Sequence, residues 1–377
     1  MEKIKAFVKK ELMLVVAMLA AIISLFITPP TKELIFEIDW HTLGTLFMML
    51  CVLEGFKKEN IFLPLIRLGG NFKTMTAISL FLIFGVFFTS MFVTNDVSLI
   101  IFVPLTILLF RGGGKEKYIL PVISMENIAA IRGSLLMPFG SPQNLFIYGQ
   151  SGMSAGAFIK MMAPLNISSA ILLILFVLVL YRKEVKEEIK IDRNEIAGTW
   201  EKKDAVKRAA YITLFVLVIF TIVSRTKYWY LFLVLVLVVI TAVDVKLLKR
   251  VDFVLILTFL CFFIFSSSIS SNAQIAAFLS KAVSGHEYWG AILLSQGISN
   301  VPASIVMYPF TTNVKGLIYG LDTAGLCSLI GSLASVINYR IYVREYPENG
   351  GKFVKTFTLI SWAFFIIVAI PGWLLSR

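Results

Sequence analysis

Residues 75–110 read MTAISLFLIFGVFFTSMFVTNDVSLIIFVPLTILLF, an apolar stretch that contains one charged side chain, Asp96. The polar tripeptide Thr94-Asn95-Asp96 interrupts it near the middle. Basic residues flank the stretch on both sides, namely Lys57, Lys58, Arg67 and Lys73 before it and Arg111, Lys115 and Lys117 after it. Because Lys and Arg concentrate on the cytoplasmic side of a membrane, both ends are predicted to be cytoplasmic. A segment that enters and leaves on one side is a re-entrant hairpin.

The composition of the whole chain is that of a protein dissolved in lipid. Of 377 residues, 58% are hydrophobic and 15% are charged, and the mean hydropathy is +0.85. An average soluble domain carries about 25% charged residues. We therefore predict an all-α polytopic membrane protein with about nine transmembrane helices and two re-entrant hairpins. A transmembrane helix needs about 20 apolar residues. The spans are expected at 12–28, 41–56, 118–148, 156–180, 209–223, 229–243, 252–270, 316–343 and 356–376, and a second broken segment at 288–312.

The basic residues behind the net charge of +12 are expected to set the orientation of the spans in the membrane rather than to bind nucleic acid. Lys and Arg lie mainly between the apolar runs, and no basic stripe is interleaved with aromatic residues. The basic N-terminus is predicted to be cytoplasmic, and so is the loop 181–208 with its nine Lys and Arg. The second broken segment then has both ends outside. The expected location is the cytoplasmic (inner) membrane, with multiple passes through the lipid bilayer.

The two broken segments share a spacing of polar residues. Ser90, Asn95 and Pro104 in the first match Ser295, Asn300 and Pro309 in the second, at steps of five and nine. A second matched set, at steps of seven, three and four, consists of Ser134, Ser141, Asn144 and Tyr148 against Ser328, Ser335, Asn338 and Tyr342. Together they predict two inverted repeats, the architecture of many secondary transporters.

The predicted repeats divide the chain into three parts. Residues 1–180 form the first repeat, residues 181–208 a cytoplasmic linker and residues 209–377 the second repeat. The first repeat contains the hairpin 75–110 and an unwound helix near 138–144. The second contains the hairpin 288–312 and an unwound helix near 334–338. Backbone that leaves a helix within a membrane must find polar partners, so these breaks are candidate sites for an alkali cation or an anion.

Four charged side chains are predicted at membrane depth, where charge is costly and usually functional. Asp96 would be a cation ligand, a protonatable coupling group, or a cap for a half-helix that begins at Val97. Arg132 would bind an anionic substrate or neutralise Glu126. Asp322, in the matching span of the second repeat, is a further candidate for coupling or charge balance.

Three runs carry a resemblance to a known family. They are TNDVSLIIFVPLTILLF (94–110), GSLLMPFGSPQNLFIYG (133–149) and SQGISNVPASIVMYPFT (295–311). They resemble the hairpin and unwound-helix motifs of the ion transporter superfamily, which includes citrate and dicarboxylate symporters, arsenite permeases and a branch of sodium/proton antiporters. The likeness covers roughly residues 40–345. The dicarboxylate symporters carry Ser-Asn-Thr at both tips, whereas this chain has Thr-Asn-Asp and Ser-Asn-Val, which argues against a di- or tricarboxylate substrate.

The resemblance implies a homodimer with a scaffold domain and a mobile transport domain that moves as an elevator. Segments 57–73 and 272–284 would be interfacial helices. The implied sodium sites are Thr94, Asn95 and Gly140 at one tip, with Asp96 as an added candidate, and Ser299, Asn300 and Ala334 at the other. The substrate would lie between the tips, near Ser141, Gln143, Asn144, Ser335 and Asn338.

The expected function is secondary transport of a small inorganic or organic anion, coupled to sodium or protons. The alternative within transport is a sodium/proton antiporter in which Asp96 exchanges the ions. A membrane-embedded enzyme is not predicted, because the chain lacks the HExxH and paired-aspartate patterns such enzymes need. Its GxSxG match at 152–156 does not follow a predicted strand, which a nucleophile of that type requires. A channel is a further, less favoured alternative, and it would be distinguished by an ion conductance far above the turnover rate of a carrier. No cofactor is expected, and no metal other than an alkali cation.

Overall fold

The computed structural model describes residues 11–30, 34–183, 187–189 and 204–377. In its first part, up to residue 183, the described chain forms these helices: α1 (Leu12–Ile27), α2 (Leu34–Glu37), α3 (Trp40–Lys58), α4 (Leu63–Leu68), α5 (Met75–Val93), α6 (Asn95–Gly112), α7 (Ile119–Ser134), α8 (Pro142–Ser151) and α9 (Ala155–Leu180). From residue 204 onward it forms α10 (Ala205–Ser224), α11 (Trp229–Asp244), α12 (Phe253–Ser270), α13 (Ala273–Val283), α14 (Glu287–Ile298), α15 (Asn300–Met307), α16 (Val314–Ala324), α17 (Leu333–Glu345) and α18 (Gly350–Ser376).

The fold is that of an all-α polytopic membrane protein, as the composition predicts. Seven helical segments of the described part are long and apolar enough to cross a membrane. They are Met75–Val93, Asn95–Gly112, Ala155–Leu180, Ala205–Ser224, Trp229–Arg250, Phe253–Ser270 and Pro347–Ser376. Large apolar side chains such as Phe220 and Leu359 stay exposed along these helices, as expected for surfaces that face lipid.

Both broken segments form helical hairpins. Helices α5 and α6 pack against each other and reverse direction at Thr94, where the Thr89 hydroxyl donates to Ser98 Oγ at 2.9 Å across the turn. Helices α14 and α15 do the same around Ser299. The first hairpin packs on α7 and the second on α16, so each hairpin lies against the helix that follows it. We call the turns at Thr94 and Ser299 tip A and tip B.

The spans predicted at 118–148 and 316–343 are each divided in two. The chain leaves the helix at 135–141, between α7 and α8, close to the predicted break. The second break differs from the prediction: it covers residues 325–332, between α16 and α17, and the predicted residues 334–338 are helical. Asn338 suggested a break, yet its side-chain amide donates to the carbonyl of Ile123 on another helix while its own backbone stays helical.

The second halves of the broken helices exchange partners between the two parts of the chain. Helix α17 packs on α6 of the first hairpin, and α8 packs on α15 of the second. Helices α1, α3 and α10 to α12 form a second group, in which α12 contacts α1 and both α10 and α11 contact α3, and α12 also packs on α15. The two hairpins and two breaks thereby meet in the interior of the molecule.

Some of the predicted segments lie partly or wholly outside the described residues. The basic N-terminal residues up to 10 and most of the loop 181–208 lie outside the described residues. Of the predicted interfacial segment 57–73, α4 forms a short helix at Leu63–Leu68. The segment 272–284 is helix α13, none of whose side chains is buried, and Phe278 on it is 72% exposed.

Candidate functional site

The two hairpin tips share an unusual backbone conformation. Thr94 has φ 72° and ψ 155°, and Ser299 has φ 68° and ψ 159°. This region of backbone space is essentially reserved for glycine, and a side chain held there costs about 1–3 kcal/mol. Strained backbone of this kind persists only where the surrounding structure enforces it. The same strain at two matched positions marks both tips as candidate binding positions.

Each tip starts a helix that the preceding hydroxyl does not cap, although at tip A the amide of Asp96 donates to Asn95 Oδ1 at 3.0 Å. Helix α6 begins at Asn95 and α15 at Asn300, and the hydroxyls of Thr94 and Ser299 do not accept from the following turn. Uncapped helix N-termini carry free N–H donors and the positive end of the helix dipole. Asn95, Ser299 and Asn300 are buried, so these groups are withdrawn from solvent.

Tip B lies against the second break. Asn300 Nδ2 donates to the carbonyl of Leu321 at 3.5 Å, near the end of α16. Gln296 Nε2 donates to the carbonyl of Ala324 at 3.2 Å, while its Oε1 accepts from Ser328 Oγ at 2.7 Å. Gln296 therefore ties the hairpin to the loop 325–332 and satisfies polar groups that the break releases.

Tip A lies beside the first break. Val93 and Val97 flank the tip and belong to the same apolar cluster as Leu135 and Phe139 of the loop 135–141. Gly140 closes this loop so tightly that a Cβ atom there would lie 2.1 Å from the carbonyl oxygen of Ser134. The last turns of α5 pack against the residues just before this break, since a Cβ atom on Gly133 would lie 2.5 Å from Ser90 Oγ.

The predicted site residue Arg132 is completely buried at the end of α7. Its Nε donates to Ser169 Oγ at 2.9 Å, and its Nη1 donates to the backbone carbonyl of Asp322 at 3.2 Å. Its Nη2 has no hydrogen-bond partner among the described residues. The guanidinium thus offers one free edge inside the protein, as an anion-binding arginine must.

Asp322 stands beside Arg132 without forming a direct ion pair with it. Both residues lie two positions before the end of their helices, α7 and α16. Asp322 Oδ1 accepts from Gln143 Nε2 at 3.1 Å, and Oδ2 has no partner in the described part of the chain. Gln143 belongs to the first turn of α8, so the end of α7, the end of α16 and the start of α8 converge here. We call Arg132, Gln143 and Asp322 the central cluster.

The structure corrects two of the alternatives for charged residues. Arg132 does not neutralise Glu126: six residues along a helix amount to about 600°, which turns the two side chains to different faces. Glu126 accepts instead from the Thr106 hydroxyl of α6. Asp96 does not cap a helix that begins at Val97, because the helix already begins at Asn95. Asp96 lies in the first turn, and its buried Oδ1 has no partner among the described residues.

The remaining predicted substrate residues fall into two places. Ser141 caps α8 by accepting from the amide of Asn144, and Asn144 Nδ2 donates to the carbonyl of Leu135 at 3.3 Å. Ser335 and Asn338 lie on α17 and bond to α7: Ser335 Oγ accepts from Asn127 at 3.0 Å, and Asn338 donates to a backbone carbonyl.

Ala334, predicted as a backbone cation ligand, is the second residue of α17 and does not belong to the break. Its carbonyl is therefore committed to the helix, where carbonyls of the first turn accept the bonds of the next one.

Four polar residues of this region were not singled out from the sequence: Gln296, Asn127, Thr106 and Ser169. Gln296 has no polar counterpart in the first hairpin, where the matching position is Met91, so the repeat does not reveal it. Asn127, adjacent to Glu126 within an apolar run, does carry a signal, because an amide at membrane depth needs a partner.

Comparisons with known proteins agree with this architecture. The model of the citrate transporter family matches residues 4–331. The chain is 30% identical over 363 residues to the inner membrane protein YbiR of Escherichia coli (strain K12), covering 94% of this chain and 92% of that protein. It is 29% identical over 336 residues to the uncharacterized transporter MJ0456 of Methanocaldococcus jannaschii, covering 89% and 88% of the two chains. Because this match covers most of its length, the chain belongs to the citrate transporter family.

Proposed function

We propose that the protein is a secondary active transporter that carries a small anion, an inorganic oxyanion or a carboxylate, across the cytoplasmic membrane, coupled to sodium or protons. The observation that carries this proposal is the pair of strained tips at Thr94 and Ser299, each followed by a helix whose first residue is buried and which the tip hydroxyl does not cap. Broken helices whose ends converge at depth supply both cation and anion sites in transporters. Membership in a transporter family supports the same class of function.

The cation sites of the proposal lie at the tips. Thr94, Asn95 and the loop around Gly140 supply hydroxyl, amide and carbonyl oxygens to one site. Ser299, Asn300 and the loop 325–332 supply the same oxygens to the other. This loop replaces Ala334 as the source of backbone ligands, because Ala334 is part of α17.

The anion of the proposal binds at the central cluster. The free Nη2 of Arg132 is a positive donor in a buried setting, and the Gln143 amide donates to the neighbouring Asp322 carboxylate. Ser141 and Asn144 lie one and two residues from the start of α8, whose positive dipole end faces the same region. With Asp322 protonated or paired with the coupling cation, the single arginine favours a small anion of low charge, because an anion of higher charge would remain incompletely neutralised at this depth.

The test is the melting temperature of the purified protein against sodium chloride, with choline chloride keeping the ionic strength constant. A ligand that binds only the folded state stabilises it by RT ln(1 + [L]/Kd), about 2.7 kcal/mol at a hundredfold excess over Kd. We expect a sodium-specific rise that is weakened in Asn95→Ala/Asn300→Ala. A sodium response in that variant equal to the wild-type response would refute the tip sites.

A second candidate function, sodium/proton exchange through Asp96, follows from one observation. The Asp96 carboxylate lies in the first turn after tip A, and its Oδ1 is buried without a partner in the described residues. Exchange predicts that Asp96→Asn eliminates pH-driven sodium flux in proteoliposomes. An anion carrier would retain sodium-dependent anion uptake in the same variant.

The larger organisation belongs to the same proposal. The hairpins with the broken helices would move as an elevator against a scaffold of α1, α3 and α10 to α12. Two copies would associate through the scaffold, and the N-terminus would lie in the cytoplasm. Residues 1–180 and 209–377 would be inverted repeats, which accounts for the exchange of α8 and α17 between the hairpins.

A further inference from the structure

A second group of buried oxygens lies away from both tips, where α6, α7 and α17 pack together. It consists of Glu126 and Asn127 on α7 and Asn338 on α17, all fully buried. One oxygen of each residue has no hydrogen-bond donor among the described residues: Glu126 Oε2, Asn127 Oδ1 and Asn338 Oδ1. Leaving a buried acceptor unpaired costs about 1–3 kcal/mol, so three on neighbouring turns of packed helices call for a ligand.

The other polar atoms of these residues fix their positions. Asn127 Nδ2 donates to Ser335 Oγ at 3.0 Å, and Asn338 Nδ2 donates to the carbonyl of Ile123 at 2.7 Å. Ile123 and Asn127 are one turn apart on α7, about 6 Å along its axis. The two amides therefore bridge α7 and α17 within one helical turn, with their donor ends used and their oxygens left over.

Glu126 adds a negative charge to the same turn of α7. Its Oε1 accepts from the Thr106 hydroxyl of α6. No Lys, Arg or His of the described residues forms an ion pair with it, and Arg132 bonds to Ser169 and to α16 instead. A carboxylate without a positive partner is strongly disfavoured in a protein interior, so a cation or a proton must balance its charge.

We propose that Glu126, Asn127 and Asn338 bind a monovalent alkali cation, sodium, at a site separate from the hairpin tips. One carboxylate and two amide oxygens form an all-oxygen ligand set for a hard cation. A single carboxylate neutralises one positive charge, whereas a divalent cation would leave a net charge at membrane depth. A proton on Glu126 would balance the charge but could donate to only one of the two amide oxygens and would leave the other without a partner.

The site would also hold α17 against α7. Helix α17 follows the second break, and α7 precedes the first, so a cation here joins the two halves of the chain at the point where they cross. The tip sites are formed within each half by contrast. The inference does not depend on the proposed tip sites, since none of its ligands belongs to a tip.

The experiment measures the sodium-dependent rise in melting temperature, against choline, in an Asn95→Ala/Asn300→Ala background. We expect a residual sodium response in this background, its loss on adding Glu126→Gln, and its retention on adding the control Glu54→Gln. Glu54 is an acidic residue that pairs with Lys57 at 2.5 Å near the end of α3, so its loss removes the same charge elsewhere. Asn127→Ala and Asn338→Ala each weaken the residual response and serve if Glu126→Gln fails to fold.

Three results overturn the inference. The first is a tip variant whose melting temperature does not rise with sodium. The second is a rise with sodium that persists when Glu126→Gln is added. The third is a Glu126-dependent change in melting temperature that follows pH and not sodium. The tip sites fail differently: the tip variant would then respond to sodium as strongly as the wild-type protein, and Glu126→Gln would remove the whole response.

Discussion

Arg132 is a buried positive charge that keeps one free hydrogen-bond donor. It is completely buried, bonds to Ser169 and to the carbonyl of Asp322, and retains a free Nη2. Removing one member of a buried charged group is strongly destabilising, whereas replacing the whole group with well-packed apolar side chains is often neutral or stabilising, so burying the charges carries a cost. A cost of this kind is retained where the charge has a task, which here would be binding the anion.

Arg132→Met should therefore lower stability as well as remove anion binding. We expect a lower melting temperature in the absence of ligand, because the buried Asp322 loses the positive charge beside it, and no stabilisation by any anion in a panel of inorganic oxyanions and carboxylates. Arg225→Met is the control, because Arg225 lies over the ring of Tyr148 at 4.0 Å, away from the central cluster. Anion-dependent stabilisation that persists in Arg132→Met would show that the anion binds elsewhere.

Gly133 is required for the close packing of the first hairpin on α7. A Cβ atom at this position would lie 2.0 Å from the carbonyl oxygen of Phe87 and 2.5 Å from Ser90 Oγ. Overpacking typically costs about 1–3 kcal/mol, so Gly133→Ala should lower the melting temperature. Gly156→Ala, where a Cβ atom meets nothing within 4 Å, should not lower it. Equal melting temperatures would place the hairpin farther from α7.

At the level of elements, the tips store strain that can be released. Thr94 and Ser299 hold the glycine-only conformation at the junctions of α5 with α6 and of α14 with α15. Thr94→Ala removes the hydroxyl and keeps the strain, whereas Thr94→Gly removes both. We expect Thr94→Gly to melt at a higher temperature than Thr94→Ala, by an amount that corresponds to roughly 1–3 kcal/mol.

A cation ligand at the tip adds a second readout to the same pair. If the Thr94 hydroxyl binds sodium, both variants should respond to sodium less than the wild-type protein does. A Thr94→Gly protein that melts below Thr94→Ala would contradict the strain argument, since glycine has no Cβ atom to clash there.

The breaks differ in how well the sequence predicts them. The first contains Pro138 and Gly140 and is followed by Pro142, and the predicted and observed breaks overlap. The second, 325–332, combines Gly, Ser and apolar residues without a proline, and the matched spacing of Ser335 and Asn338 pointed one turn too far along. What allows this loop to unwind is the contact with Gln296 of another helix, and such a contact leaves no pattern in the local sequence.

For individual residues the limit is the same. Burial of charge at Asp96, Glu126, Arg132 and Asp322 could be predicted, because an apolar run around a charge implies depth. Which partner each would find could not, since Glu126 and Arg132 are neighbours in sequence and yet face different helices. The orphan oxygens of Asn127 and Asn338 depend on a crossing between helices more than two hundred residues apart.

At the scale of the whole molecule, α12 contacts both proposed bodies. Ser266 Oγ donates to the carbonyl of Ile305 in α15 at 3.0 Å, and Ser268 Oγ donates to the carbonyl of Ser24 in α1 at 2.9 Å. The first contact joins scaffold to hairpin, and the second lies within the scaffold. An elevator must break the first contact in every cycle and can keep the second.

Cross-linking tests this motion in a protein whose three native cysteines are replaced. A short bifunctional thiol reagent on Ser266→Cys/Ile305→Cys should stop uptake of the stabilising anion into proteoliposomes, and reduction should restore it. The same reagent on Ser24→Cys/Ser268→Cys should leave uptake unchanged. Uptake that continues through the first cross-link would rule out movement between these two bodies.

The partners of Arg132 also set an order of events during synthesis. The acceptor carbonyl of Asp322 lies 190 residues later in the chain. At a synthesis rate of about 5–20 residues per second, Arg132 enters the membrane roughly 10–40 s before that acceptor exists. During this interval the first half of the chain holds a guanidinium in the bilayer without its final contact. The first half of the chain is therefore a distinct intermediate with an exposed guanidinium. The second half completes the folding of the first half when it folds itself.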